Sequence, residues 1–206
     1  MHTRRGTLAL AGGGVLALGG KRAWANAGVA QVVASTGAVA VVRGTSVVSL
    51  SAGAAIYPDD IVRTGPDSRV QIVGNDGLQI VIGAGTELAV RSFLGPEPGG
   101  RLEVVLGLLR GIARLIGPPS ATPRSVEIDT RTALASVRST EWLIESTDAG
   151  TGVLAIIGEV TVLALAGGEV VLRPGQGTDV APGAAPKLPA TWGQARRRSA
   201  IARTTL

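Results

Sequence analysis

Carboxylates stand at positions in this chain where the backbone is expected to turn or a strand to end: Asp59, Asp60, Asp67 and Asp76 early on, then Asp129, Glu141 and Glu145. Two carboxylates facing one another can hydrolyse a glycosidic bond, and a looped cluster of them can hold calcium. Neither chemistry has its spacing here, since no calcium-loop pattern and no Asp-Thr-Gly motif occurs. Asp and Asn at turns bond neighbouring backbone N–H groups, and these residues read as turn-makers. The rest of the catalytic repertoire is thin. The only His is His2 and there is no Cys, so past the first residues no Ser-His-Asp triad, Cys-His pair or His-ligated zinc can be built. Beyond residue 25 the only Lys is Lys187. The expectation is a chain without enzymatic activity, metal or cofactor.

A second constellation lies near the C-terminus, where Trp192 is followed by Arg196, Arg197, Arg198 and Arg203. An indole beside clustered guanidinium groups can bind an anionic membrane or a cell-wall polymer. The same residues can equally be a solvated chain end, and both readings stand. The net charge of +5 is unevenly spread: residues 1–25 carry +4, residues 187–206 carry +5, and residues 26–186 carry 11 Arg against all 15 acids. The body is thus mildly acidic, which gives no support to a basic groove for a nucleic-acid backbone.

The elements that must position these residues are short strands. Thirty Gly and eleven Pro supply more punctuation than a helical domain carries. At 45% hydrophobic but only 2% aromatic, the core must be thin layers of Val, Leu, Ile and Ala. Between Gly53 and Arg91, apolar residues alternate with Arg or Gln across Arg69–Val73 and Leu78–Ile82, the period of a half-buried strand. Asn75-Asp76-Gly77 between those runs is a hairpin signal. Residues 30–42 read as a strand pair about Ser35-Thr36-Gly37. Residues 102–116 read as two strands meeting near Leu109-Arg110-Gly111, because Gly107 and Gly111 oppose a helix. Further strands are expected at 125–128, 133–137, 141–145 and 152–157, with a hairpin of 160–165 and 169–172. Trp142 is expected in the core. Residues 181–190 read as a Pro/Ala linker, and the residues after Thr191 as a short basic helix capped by Thr191.

The first residues carry an address. Arg4-Arg5, an apolar stretch from Leu8 to Leu18 and the small-x-small triplet Ala23-Trp24-Ala25 read as a signal peptide. Arg4-Arg5 before Gly-Thr-Leu, a weakly apolar stretch with five Gly between Gly12 and Gly20, and Lys21-Arg22 before the cleavage site favour the twin-arginine route over an ordinary signal. Cleavage after Ala25 or Ala27 both fit. The apolar stretch is short for a bilayer span, and no span is expected in the mature chain.

An ordered series of motifs resembles the FecR domain, a bacterial periplasmic module. It comprises Gly44, Asp60-Ile61-Val62-Arg63-Thr64-Gly65, Asp67-Ser68-Arg69-Val70 and Asn75-Asp76-Gly77. It continues with Leu106-Gly107-Leu108-Leu109 and Gly111, Ile128 to Ala133, and Ala135 to Trp142. Gly158 to Val162 and Leu172 to Gly177 close it, so the resemblance runs from about Val32 to Val180. Ser139-Thr140 stands where the family usually has Gly-Thr. The resemblance implies an all-β domain of stacked short antiparallel strands, solenoid-like or sandwich-like, with no catalytic residues. FecR-type regulators add a cytoplasmic anti-sigma segment and a membrane span, and this chain is expected to lack both.

The resulting partition is a signal peptide at 1–25, a FecR-like domain at 26–180, a linker at 181–190 and a basic tail at 191–206. The expected function is an exported, periplasmic or secreted contact module that meets an envelope protein or polymer. Two alternatives stay open: binding of an envelope polysaccharide or anionic surface through Trp192, Arg196, Arg197, Arg198 and Arg203, and a periplasmic signalling component regulating iron uptake or transcription.

Overall fold

A computed structural model describes residues 28–94, 102–118, 124–137 and 141–206. Residues 1–27, 95–101, 119–123 and 138–140, which include the expected signal peptide and Ser139-Thr140, lie outside the described residues. Among the described residues the chain is all-β apart from one helix. Its first strands are β1 (Ala30–Thr36), β2 (Val39–Arg43), β3 (Ser46–Ser49), β4 (Ala55–Ile56), β5 (Ile61–Thr64) and β6 (Arg69–Gly74). Then come β7 (Gln79–Ile82), β8 (Glu87–Leu94), β9 (Leu102–Ile116), β10 (Arg124–Asp129), β11 (Ala133–Val137) and β12 (Glu141–Thr147). The last are β13 (Gly150–Ile157), β14 (Val160–Ala164), β15 (Glu169–Leu172), β16 (Gln176–Val180), β17 (Ala190–Thr191) and helix α1 (Gln194–Arg203).

These strands form two layers. Sheet A runs β4-β1-β6-β7-β9-β12-β13-β16-β17. Sheet B runs β3-β2-β5-β8-β9-β10-β11-β14-β15. All pairings are antiparallel except β9 with β10, which is parallel. The period of two decides which side chains are enclosed. In β6, Val70 and Ile72 are buried while Arg69, Gln71 and Val73 are half-buried, and β11 alternates the same way. The inward residues of both layers merge into one core of Val, Ile, Leu and Ala, with Trp142 its largest side chain. Branched aliphatic residues fill such a thin inter-sheet space without large gaps.

Two sequence expectations change. Residues 30–42 do form two strands, but β1 and β2 do not pair. β1 joins β4 and β6 in sheet A, whereas β2 joins β3 and β5 in sheet B. The segment at Gly37 is a crossing between layers, tied down by the Ala38 amide donating to Ser68 Oγ at 2.9 Å. Residues 102–116 are one strand of 15 residues rather than two. Its first part pairs with β8 and β10 in sheet B, and its last part with β7 and β12 in sheet A. The expected break survives as a bend at Gly111, whose φ of +97° is open to Gly at little cost.

Candidate functional site

The acids expected at turns divide into two groups. Asp59 and Asp67 hold positive φ at tight turns, and Asp76 Oδ1 accepts from the Leu78 amide at 3.1 Å beside Gly77. The others neutralise arginines across strands. Asp60 is fully buried; it accepts from Arg43 Nε and Nη2, both at 2.7 Å, and from the Tyr57 amide at 2.9 Å. Arg43 in turn lies over the Tyr57 ring, 4.3 Å from its centroid, and the carboxylate raises the pKa of its guanidinium. Asp129 takes both prongs of Arg91, Glu141 holds Arg114, and Glu87 holds Arg63 and Arg110. Buried hydroxyls are engaged as well: Thr64 Oγ1 donates to the Gly83 carbonyl at 2.6 Å, and Thr130 and Thr132 both meet Thr151. Among the described residues no three of His, Asp and Glu gather in a way that could hold a metal ion.

Another constellation brings the tail residues onto the body, at the C-terminal end of sheet A. Residues 181–190 fold back along β16: the Lys187 amide donates to the Asp179 carbonyl at 3.0 Å, and Thr178 Oγ1 to the Lys187 carbonyl at 2.6 Å. Ala190 and Thr191 then pair with Gly177 and Gln176. Thr191 is therefore a strand residue, Gly193 occupies the helix N-cap, and no side chain caps α1. Trp192 is buried against Ile112, Leu143, Leu154 and Ala200. It fits because Gly177 lies beneath it, where any Cβ would collide with the indole.

Arg196 stacks on the Trp192 ring at 3.5 Å and gives both prongs to Asp179, at 2.6 and 2.9 Å. Glu145 Oε2 is 3.8 Å from the same guanidinium, and its other oxygen pairs with Arg203. Hydrogen bonding from Arg196 holds the Asp179 carboxyl below the ordinary value, and burial lowers the pKa of Arg203. Arg196, Ala200 and Arg203 follow at steps of four and three, which places them on one side of α1, and Trp192, four positions before Arg196, lies just ahead of the helix. The helix ends beside the start of β6, where Arg69 Nε donates to the Arg203 carbonyl at 3.2 Å. Beside it opens a pocket of about 280 Å³, lined by Glu145, Thr151, Asp179, Lys187 and Arg196 among others.

The structure thus unites three of the expected binding residues, Trp192, Arg196 and Arg203, but turns them onto the body. Arg197 and Arg198 point outward as exposed side chains, and no described acid pairs with them. Glu145, read in the sequence as a turn-maker, and Asp179, which sequence reasoning missed, are the partners of the tail arginines. Their signal was present in the opposite charges of body and tail and in the helical spacing of the tail residues. A general acid needs a carboxyl held above its ordinary value; in this pair, Arg196 acts on Asp179 in the opposite direction.

Residues 60–161 match the family model described as FecR protein. Two crystal structures of a "putative anti-sigma factor" from Parabacteroides distasonis ATCC 8503, at 1.65 and 2.50 Å resolution, resemble the chain at TM-scores of 0.48 and 0.49. Each is 17% identical, and each alignment covers 59% of this chain and 54% of the other. The chain thus spans about half the length of those structures. Nothing among curated proteins matches it.

Proposed function

We propose, on the premise that residues 60–161 are a FecR domain, that this chain is a non-enzymatic recognition module of the bacterial envelope. Its partner is an envelope protein, and the reading includes a signalling role of the FecR type, up to control of iron uptake or transcription. The observation that carries it is the pair of open strand edges at the two ends of sheet B. Among the described residues β3 pairs only with β2 and β15 only with β14, so each offers a row of free backbone groups. The exposed Val47, Val48 and Val171 lie on these edges. An extended segment of a partner can add to such an edge, with backbone hydrogen bonds giving affinity and side-chain contacts giving selectivity. The internal engagement of Asp60, Asp129, Glu141 and the buried threonines supports action by contact rather than catalysis.

The test places a photo-crosslinking amino acid at Val47 or Val171 in the full chain, expressed in its bacterium, with Ser199 on the exposed face of α1 as control. The expected result is a discrete adduct with an envelope protein from at least one edge and none from Ser199. Absence of an adduct at both edges overturns the reading. A second reading rests on Arg197 and Arg198, whose outward guanidinium groups suit an anionic polymer or lipid surface. It expects co-sedimentation with anionic vesicles or cell-wall sacculi that Arg197→Ala with Arg198→Ala abolishes; sedimentation unchanged by that pair of substitutions removes it.

A further inference from the structure

Helix α1 is a poor helix in its own right. It has ten residues, no side-chain cap at Gly193 and no acid in its first turn. Arg196, Arg197 and Arg198 instead crowd the end where the helix dipole disfavours cations. Ten such residues would not hold a helix alone in water. Its apolar contribution to the body is small: Trp192 and Ala200 are buried, Ile201 is half-buried and the other α1 side chains except the paired arginines face water. The seat beneath it is, by contrast, well formed. Ile112, Leu143 and Leu154, from three adjacent strands of sheet A, make an apolar floor separate from the main core. Gly177 and Gly152 clear space for the indole and for the Arg196 guanidinium. Glu145 and Asp179 stand on the rim, Glu145 with a side chain only 16% exposed. A rigid sheet therefore shapes the site, and a weakly self-ordered segment fills it.

We infer that this face of sheet A is a docking groove for a basic amphipathic segment, and that residues 188–206 are its resident occupant. The recognised pattern is an aromatic residue, an arginine four positions on, a small residue at eight and a second arginine at eleven. The aromatic ring enters the slot over Gly177. The first arginine stacks on it and bridges Asp179 and Glu145, and the second closes on Glu145. A partner carrying this pattern takes the groove when the tail leaves it. The tail can leave on its own tether, because residues 181–190 attach through β17 and the two hydrogen bonds at Lys187, while Leu188 is 84% exposed. Ion pairs at the rim make the exchange salt-dependent. The inference rests on the reading of the chain as a contact module and names a second contact surface, apart from the strand edges.

The probe is a fluorescein-labelled peptide of residues 188–206 titrated into the full chain. Wild type, with its groove filled, binds it weakly. The cis-weakened full chain Trp192→Ala with Arg196→Ala is expected to bind it at least tenfold more tightly, saturably and less at high salt. Adding Glu145→Gln to that chain is expected to cost at least tenfold. Failure of the cis-weakened chain to bind while its sheet amides keep their protection overturns the groove. Should that variant fold poorly, hydrogen exchange on wild type decides instead. Amides of 194–203 are expected to open far more readily than those of β9 and β12, and faster still with millimolar unlabelled peptide. Exchange of the helix only with global unfolding, or no effect of peptide, overturns the inference. Neither readout needs an envelope partner, so loss of the groove leaves the edge-crosslinking result standing, and the reverse.

Discussion

Asp60 has no exposed surface, and its oxygens are taken by Arg43 and by the Tyr57 amide. Its place after Asp59 marks it as a turn residue in the sequence, and it does turn the chain. Its arginine was not legible, because the partner lies 17 positions away and only the pairing of β2 with β5 brings it near. Asp60→Ala is expected to lower stability by about 1–3 kcal/mol, since it leaves the part-buried Tyr57 amide without its acceptor. Arg43, with a side chain 43% exposed, can turn to water, which keeps the loss below that of a fully enclosed ion pair. The urea midpoint reads this, with Asp60→Asn retaining part of the loss; a midpoint unmoved by Asp60→Ala contradicts it. Asp179 gives a pH prediction. Arg196 lowers its folded pKa, so the folded state binds fewer protons there than the unfolded chain. The resulting stabilisation is complete above the ordinary aspartate value of about 3.9 and is lost as pH falls through the lower folded value. Amide protection in 194–203 is therefore expected to stay level from neutrality to about pH 5 and to decline below about pH 4. Asp179→Asn should start lower and lose that acid limb; an unchanged limb assigns it to another group.

At the scale of the element, β9 does what no local pattern could announce. Its sequence carries the right alternation and the right interruption, but whether Gly111 ends a strand or bends one depends on four other strands, with register partners as far as Gln79 with Ile116. β8 and β10 hold the first part, β7 and β12 the last, and the bend passes the chain from one layer to the other. The same logic hides in β1 and β2, where the turn at Gly37 was legible and the change of layer was not. Gly111→Ala tests the bend. The new methyl would sit at a φ of +97° and run into Thr86, whose hydroxyl accepts from the Ile112 amide at 3.0 Å. Strain and overpacking together are expected to cost about 2–5 kcal/mol. Substitution at Gly44, also at positive φ but with open space where the Cβ would go, should cost only about 1–2 kcal/mol. Equal losses at the two sites in thermal unfolding would mean that the contact with Thr86 is unimportant.

For the molecule as a whole, the division of charge between an acidic body and basic ends was plain in the sequence, and it became structural at one end. The C-terminal excess is partly consumed by Glu145 and Asp179, which leaves Arg197 and Arg198 outside. The tail's helical spacing was readable, but its seat was not, since Ile112, Leu143 and Leu154 look like ordinary strand residues until the sheet aligns them. The N-terminal excess has a different use on the reading proposed above, as the address for export. A twin-arginine route depends on both guanidinium groups of Arg4-Arg5, whereas the general route needs only positive charge ahead of the apolar stretch. Arg4→Lys with Arg5→Lys keeps that charge and so separates the two. The expected outcome is an uncleaved chain retained in the cytoplasm, against a processed wild type in the periplasmic or secreted fraction. Unimpaired processing of the lysine variant would assign the general route. An uncleaved wild type in the cytoplasm would overturn export itself and, with it, the envelope setting of the open edges of β3 and β15.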